Sequence, residues 1–341
     1  MKAVGVKKSL PVTDKNCFVE FEAEIVSPKG HDILVEVGAI AVNPVDYKRR
    51  LMSAVDKTLD APAILGWDAV GVVREVGEKV SLFKAGDEVF YAGDITRPGC
   101  NAEFQLVDER IVGKKPKSLN LEESASMPLT SLTAWEGLFD RMRISKEKDF
   151  GKSILIIGGA GGVGSIAIQL AKYVGLTVIA TASREESINW CKELGADFVV
   201  DHRDLVSEVR KCNFKEVDYI FDLVDINSYW NAVVELIKPQ GHITSITGSN
   251  EPLALNALKT KSASFSWELM YTRSMFQTEN QIEQHKILNQ ISELLDSKIL
   301  RCTLKNTLYG LSAENLRLAH EMLESGKTIG KIAVRLSVVC I

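Results

Sequence analysis

Apolar positions along this chain change their spacing twice, and the changes divide it into three stretches. Up to about residue 125, short apolar runs alternate with Gly, Asp and Pro, so 32–43, 69–77 and 86–93 read as strands. Pro28-Lys29-Gly30, Gly77-Glu78 and Ala85-Gly86-Asp87 read as turns. Beyond residue 153 the texture is different. Ile154, Leu155, Ile156 and Ile157 form an unbroken apolar run, as in a strand covered on both faces. Val163, Ile166, Ala167, Leu170, Ala171 and Val174 then recur at helical spacing, and Gly175 stands where a helix cap belongs. Strands are expected at 177–181, 196–200, 217–222 and 242–246, with helices near 185–194, 205–211 and 229–237 between them. Gly195 and Pro239-Gln240-Gly241 stop two of those helices, and 264–269 reads as a sixth, edge strand. Past about residue 272 come a long helix (279–296), a short strand, a helix at 313–325 and a last strand at 332–336.

The middle stretch is the pattern of a doubly wound parallel sheet. The tail is expected to return to the first stretch. The chain is then an α/β protein in which 126–272 is inserted into a β-rich domain made of 1–125 and 273–341, with a site in the cleft between.

Between the first strand of the sheet and its helix, Gly159, Gly161 and Gly164 satisfy G-x-G-x-x-G. In a dinucleotide fold the first glycine lets the backbone turn sharply. The second lets a diphosphate approach the main chain, and the third lets helix and strand pack closely. The helix start, with Gly162 and Val163, points free N–H groups and a positive dipole end at that diphosphate. The second strand ends Thr181-Ala182-Ser183-Arg184, without the acid that accepts from an NAD ribose. Ser183 and Arg184 are instead suited to a 2′-phosphate, which favours NADPH. A bland alternative makes Ser183 the N-cap of the next helix, with Glu185 and Glu186 in its first turn. Both readings are compatible.

Composition adds little. The 341 residues are 45 % apolar and 25 % charged, ordinary values for a globular protein. A net charge of −4 gives no footprint for nucleic acid or an anionic membrane. No apolar run reaches the roughly 18–20 residues that span a bilayer, and the lysine-broken N-terminus lacks a signal core. A cytoplasmic protein with six reduced, scattered cysteines is the expectation, Cys340 among them.

Five short motifs occur in order: Ala41-Val42-Asn43-Pro44-Val45-Asp46-Tyr47-Lys48, Leu65-Gly66-Trp67-Asp68-Ala69-Val70-Gly71, Ala85-Gly86-Asp87-Glu88-Val89, Leu132-Thr133-Ala134-Trp135-Glu136 and the glycine turn. With the three-part organisation they resemble the medium-chain dehydrogenase/reductase superfamily on its quinone-oxidoreductase side. The resemblance is greatest to the group called zinc-type alcohol dehydrogenase-like. It implies a GroES-like catalytic domain with an inserted Rossmann domain, and a homodimer paired at the edge strand 264–269. The zinc enzymes carry a cysteine in the first motif and a His-Glu pair in the second. Here stand Asn43 and Asp46, then Trp67-Asp68, and the five histidines lie elsewhere, so no metal is expected.

Without a Lewis acid, alcohol oxidation is disfavoured. Hydride transfer to a quinone or an α,β-unsaturated carbonyl, the small-molecule electron acceptor, is favoured. By resemblance, Asn43, Asp46 and Tyr47 line the carbonyl end of the substrate site and Trp67 walls it. The cofactor set implied is Thr133, Gly159, Gly161, Gly162, Val163, Gly164, Ser183, Arg184, His202, Leu223, Val224, Thr247, Gly248 and Lys331. The plainer roles are a turn at Asn43, capping at Asp46 and Asp68, core packing for Tyr47 and Trp67, and a surface lysine at 331. A zinc-type alcohol or aldehyde dehydrogenase, and an NADPH-binding sensor without turnover, stay open as alternatives.

Overall fold

The computed structural model of the chain describes residues 1–336, so Cys340 lies outside the described residues. The chain forms two compact units, Met1–Leu129 with Tyr271–Ile341, and Thr130–Met270.

The second unit holds a six-stranded sheet in which every pairing is parallel. Its spatial order is Phe198–Val200, Thr177–Thr181, Ser153–Ile157, Val217–Asp222, Ile237–Ser245, Ser264–Trp267. The order reverses direction beside Ser153–Ile157, the strand whose residues are all buried. A ligand crevice opens at such a reversal, outside the carboxyl ends of the strands. The helix Gly162–Tyr173 follows the glycine turn. Gly175, at φ +85°, ends it through N–H bonds from 175 to Lys172 O and from Leu176 to Ala171 O.

Most expected elements stand within a few residues of their predicted bounds. One departure is the fifth strand, Ile237–Ser245, which starts five residues before the expected 242. Pro239-Gln240-Gly241 does follow a helix end at Leu236, but the chain passes straight into the sheet. Gln240 takes a left-handed φ of +64°, and the register slips between Val217 and Tyr219, so the turn signal encodes an irregularity within a strand.

In the first unit, the eleven-residue strand Asp32–Val42 pairs antiparallel with Ala69–Val76, Phe104–Asp108 and Lys331–Arg335. The last of these pairs Ile332 with Val42 and Ala333 with Ala41, which brings the tail to the end of the strand that carries the first motif. Immediately beyond, Asn43 caps the helix Pro44–Met52, with Pro44 at its first position.

Candidate functional site

Two constellations emerge, one in each unit. In the first unit, Lys331 reaches the start of the helix Pro44–Met52. Its ammonium donates to Val42 O at 2.9 Å, to Asp68 Oδ2 at 2.9 Å and to Asn43 Oδ1. Asn43 Nδ2 donates to the same Asp68 oxygen at 2.9 Å, and Leu129 N donates to Asp68 Oδ1 at 2.8 Å. Asn43, Asp46, Asp68 and Lys331 are all buried. An ion pair sealed this way is held by its hydrogen bonds, because desolvation offsets most of the Coulomb attraction.

This arrangement corrects one plainer reading: Lys331 is buried, not a surface lysine, and its ammonium makes three hydrogen bonds inside the cluster. Asn43 likewise spends one amide proton on Asp68 and keeps one.

Asp46, three residues into the helix, accepts the Asn43 backbone N–H at 2.5 Å through Oδ2, while its buried Oδ1 has no partner. Burial pushes its carboxyl up to about 7, against lowering by the Asn43 N–H and Lys331. Burial likewise raises Asp68, opposed mainly by Lys331. Below pH 7 the folded chain therefore keeps a proton on Asp46 that the unfolded chain loses above about pH 4. Stability falls as pH rises through that window. We expect about 2 kcal/mol to be lost between pH 5 and pH 7. Urea unfolding of Asp46→Asn, which preserves the cap acceptor, should show a flatter profile; an unchanged slope would assign the titration elsewhere.

Tyr47 is half-buried. One residue beyond Asp46 on a helix is about 100° round the axis, and its charged neighbour is Glu324 of the helix Ala313–Glu324. Trp67 is buried and donates its indole N–H to Asp94 O at 3.2 Å.

In the second unit, the glycine turn divides its labour differently from the fingerprint. The sharp turn is made by Gly158, at φ +92°. Gly159 answers to packing, since a Cβ there would lie 2.8 Å from Ala180 Cβ and 3.1 Å from Cys191 Sγ. A Cβ on Gly164 would meet Gly158 O at 2.3 Å, so this glycine lets the helix sit on the turn. On Gly161 a Cβ would meet nothing nearer than Gly158 O at 3.6 Å. No described residue requires that position to be bare.

Thr181, at the end of the second strand, braces the turn. It accepts Gly158 N on its hydroxyl at 2.9 Å and Gly159 N on its carbonyl at 3.2 Å. Ser183 and Arg184 follow, both exposed. The N-cap is Arg184, not Ser183, and Ser187 Oγ accepts the Arg184 N–H at 3.2 Å. His202 opens a short helical turn with its ring 3.9 Å from Asp201.

Leu223, Val224, Thr247 and Gly248 lie just past the carboxyl ends of the strands Val217–Asp222 and Ile237–Ser245. Asp222, which sequence reasoning missed, ties them together. Its Oδ2 accepts Ser245 Oγ at 2.7 Å and Thr247 Oγ1 at 3.1 Å, and its Oδ1 accepts Val224 N at 3.3 Å. The available signal was an acid ending a buried strand. Thr133 is buried in the helix Pro128–Trp135.

Residues 29–117 match the alcohol dehydrogenase GroES-like domain family, and 162–284 match the zinc-binding dehydrogenase family. A zinc-type alcohol dehydrogenase-like protein of Staphylococcus epidermidis is 46 % identical over 98 % of this chain and 100 % of its own. The chain belongs to the medium-chain dehydrogenase/reductase superfamily. The crystal structure of a protein described as a zinc-dependent alcohol dehydrogenase, from Rhizobium etli, superposes with TM-score 0.94 at 46 % identity, covering 99 % of both chains. An NADPH-dependent alkenal/one oxidoreductase of Arabidopsis thaliana is 36 % identical over 69 % of this chain and 60 % of its own.

As a superfamily member the chain is an oxidoreductase that binds a nicotinamide cofactor, and the open main chain at Gly161 fits the diphosphate of that group. Zinc does not fit. Where zinc relatives offer thiolate and imidazole, this member offers an amide, an indole donor and a carboxylate already paired with an ammonium. Buried Cys100 is a protonated thiol, pushed up by burial and donating to Asp68 O at 3.4 Å. Among the described residues, no three His, Cys, Asp or Glu side chains converge to hold a metal. No described helix is long and apolar enough to cross a membrane.

Proposed function

We propose that this oxidoreductase uses NADPH to reduce a quinone or an α,β-unsaturated carbonyl compound without a metal. The observation that carries the reading is the Asn43–Lys331–Asp68 cluster, which fills with a buried ammonium the place where the zinc enzymes keep metal ligands. The name of the Arabidopsis relative supports the same acceptor class and cofactor. When bound, the reduced nicotinamide supplies hydride. The chain's part is to hold that cofactor by its diphosphate at the glycine turn and by its 2′-phosphate at Ser183 and Arg184. Leu223, Val224, Thr247 and Gly248 border it. Hydride arriving on an enone leaves negative charge on the carbonyl oxygen, which hydrogen-bond donors stabilise. Asn43, through its second amide proton, is such a donor. A second copy of the chain is proposed to pair along the edge strand Ser264–Trp267, where Trp267 is exposed.

The test is loss of 340 nm absorbance when NADPH meets protein and a panel of quinones and enones. Binding without turnover would instead mark a sensor, and alcohol-dependent NADP reduction with bound zinc would mark the zinc enzyme. In the same assay, Arg184→Ala should weaken NADPH by roughly 1.5–3 kcal/mol and leave NADH unaffected, the loss of a charged hydrogen bond. Equal weakening of both cofactors would remove Arg184 from the phosphate site.

A further inference from the structure

Four buried polar atoms around the Asp68–Lys331 pair have no partner among the described residues: Asp46 Oδ1, Asn101 Oδ1, and the hydroxyls of Tyr91 and Tyr271. All four residues are 2 % exposed or less. Buried polar groups in native proteins are bonded in the great majority, so orphans gathered in one region call for a polar partner.

They are gathered. Tyr91 pairs in the sheet with Ala69, the residue after Asp68. Asn101 donates its backbone N–H to Leu65 O at 2.9 Å, and its neighbour Cys100 donates to Asp68 O. Gly66, at φ +104°, has no room for a Cβ, which would lie 2.4 Å from Asn101 Oδ1. The ionisable neighbours of the Tyr271 hydroxyl are Asp46, Asp68, Cys100 and Asp94. Of the four orphans, the two tyrosine hydroxyls are donors whether or not Asp46 holds its proton, and only Tyr271 has both Asp46 and Asp68 beside it.

We propose that the Tyr271 hydroxyl donates a hydrogen bond to the carbonyl oxygen of the electron acceptor. The inference rests on the function proposed above and assigns to Tyr271 the hydroxyl role that the family resemblance implies for Tyr47. In the enone case, hydride adds to the β-carbon, the alkene electron pair moves toward the oxygen, and a solvent proton completes the saturated ketone. The Tyr271 O–H bond stays intact throughout. The surroundings suit an oxyanion: Asp68 is neutralised by Lys331, and burial keeps the Asp46 carboxyl protonated up to about pH 7.

Tyr271→Phe tests this directly. The hydroxyl bonds to no described residue, so the variant should keep or raise the thermal midpoint. Its kcat/KM for an enone should fall 10- to 100-fold, with KM for NADPH unchanged. Wild-type turnover in Tyr271→Phe, beside an active parent enzyme, would overturn the role of Tyr271 and leave the proposed function standing. A parent enzyme inactive toward every quinone and enone would overturn both.

Discussion

Gly161→Val should fold as the parent does and lose at least about 100-fold in affinity for both NADPH and NADH, about 2.7 kcal/mol or more. The expectation comes from what surrounds the residue. Its φ of −72° suits any L-amino acid, and a Cβ there makes only ordinary contact with Gly158 O. No described residue demands glycine there, which is why the bare position is expected to serve a diphosphate approaching from outside. A side chain would hold a diphosphate away from the helix N-terminus, where dipole and free N–H groups act at short range. Gly164→Ala is the contrasting substitution. Its Cβ would lie 2.3 Å from Gly158 O and 2.7 Å from Gly159 O, so it should disturb the turn and lower stability even without cofactor. Fluorescence titration separates the two from thermal unfolding of the cofactor-free proteins. Parental affinity in Gly161→Val would remove the glycine turn from the cofactor site.

Lys331→Met should cost about 3–5 kcal/mol near pH 8, the usual consequence of stranding one member of a buried ion pair. Asp68 would keep its bonds from Asn43 and Leu129 but lose the ammonium that chiefly opposes its desolvation. The carboxyl then escapes by taking a proton. The deficit should therefore shrink as pH falls, because a buried acid with a raised titration point is penalised only where it must ionise. Adding Asp68→Asn should recover most of the loss, and the double-mutant cycle gives the coupling. Urea midpoints at pH 6 and pH 8 measure it. A Lys331→Met protein as stable as the parent at pH 8 would mean that the pair contributes nothing.

Much of this molecule was legible before its structure. The parallel sheet followed from an apolar run, a helical stripe and a capping glycine, each a local signal. Inside the site, legibility followed distance along the chain. Asn43, Asp46 and Asp68 stood out through their motifs, but the cation that organises them is 263 residues from Asp68, and no local pattern joins the two. The fingerprint marked the right turn and misassigned its bend, because φ at Gly158 depends on how the strand exits the sheet. Asp46 and Tyr47 are adjacent in sequence and diverge only because a helix turns them apart. Tyr271 gave no signal, since an unpaired hydroxyl is visible only once its neighbours are in place.

The position of Lys331 on the last described strand also bears on how the protein is made. A ribosome delivers Lys331 263 residues after Asp68, so while that stretch is made the carboxylate has no ammonium to meet. The inserted sheet, contiguous in sequence, is free to fold as it emerges. The surrounding β-rich unit closes only when the strand Lys331–Arg335 arrives.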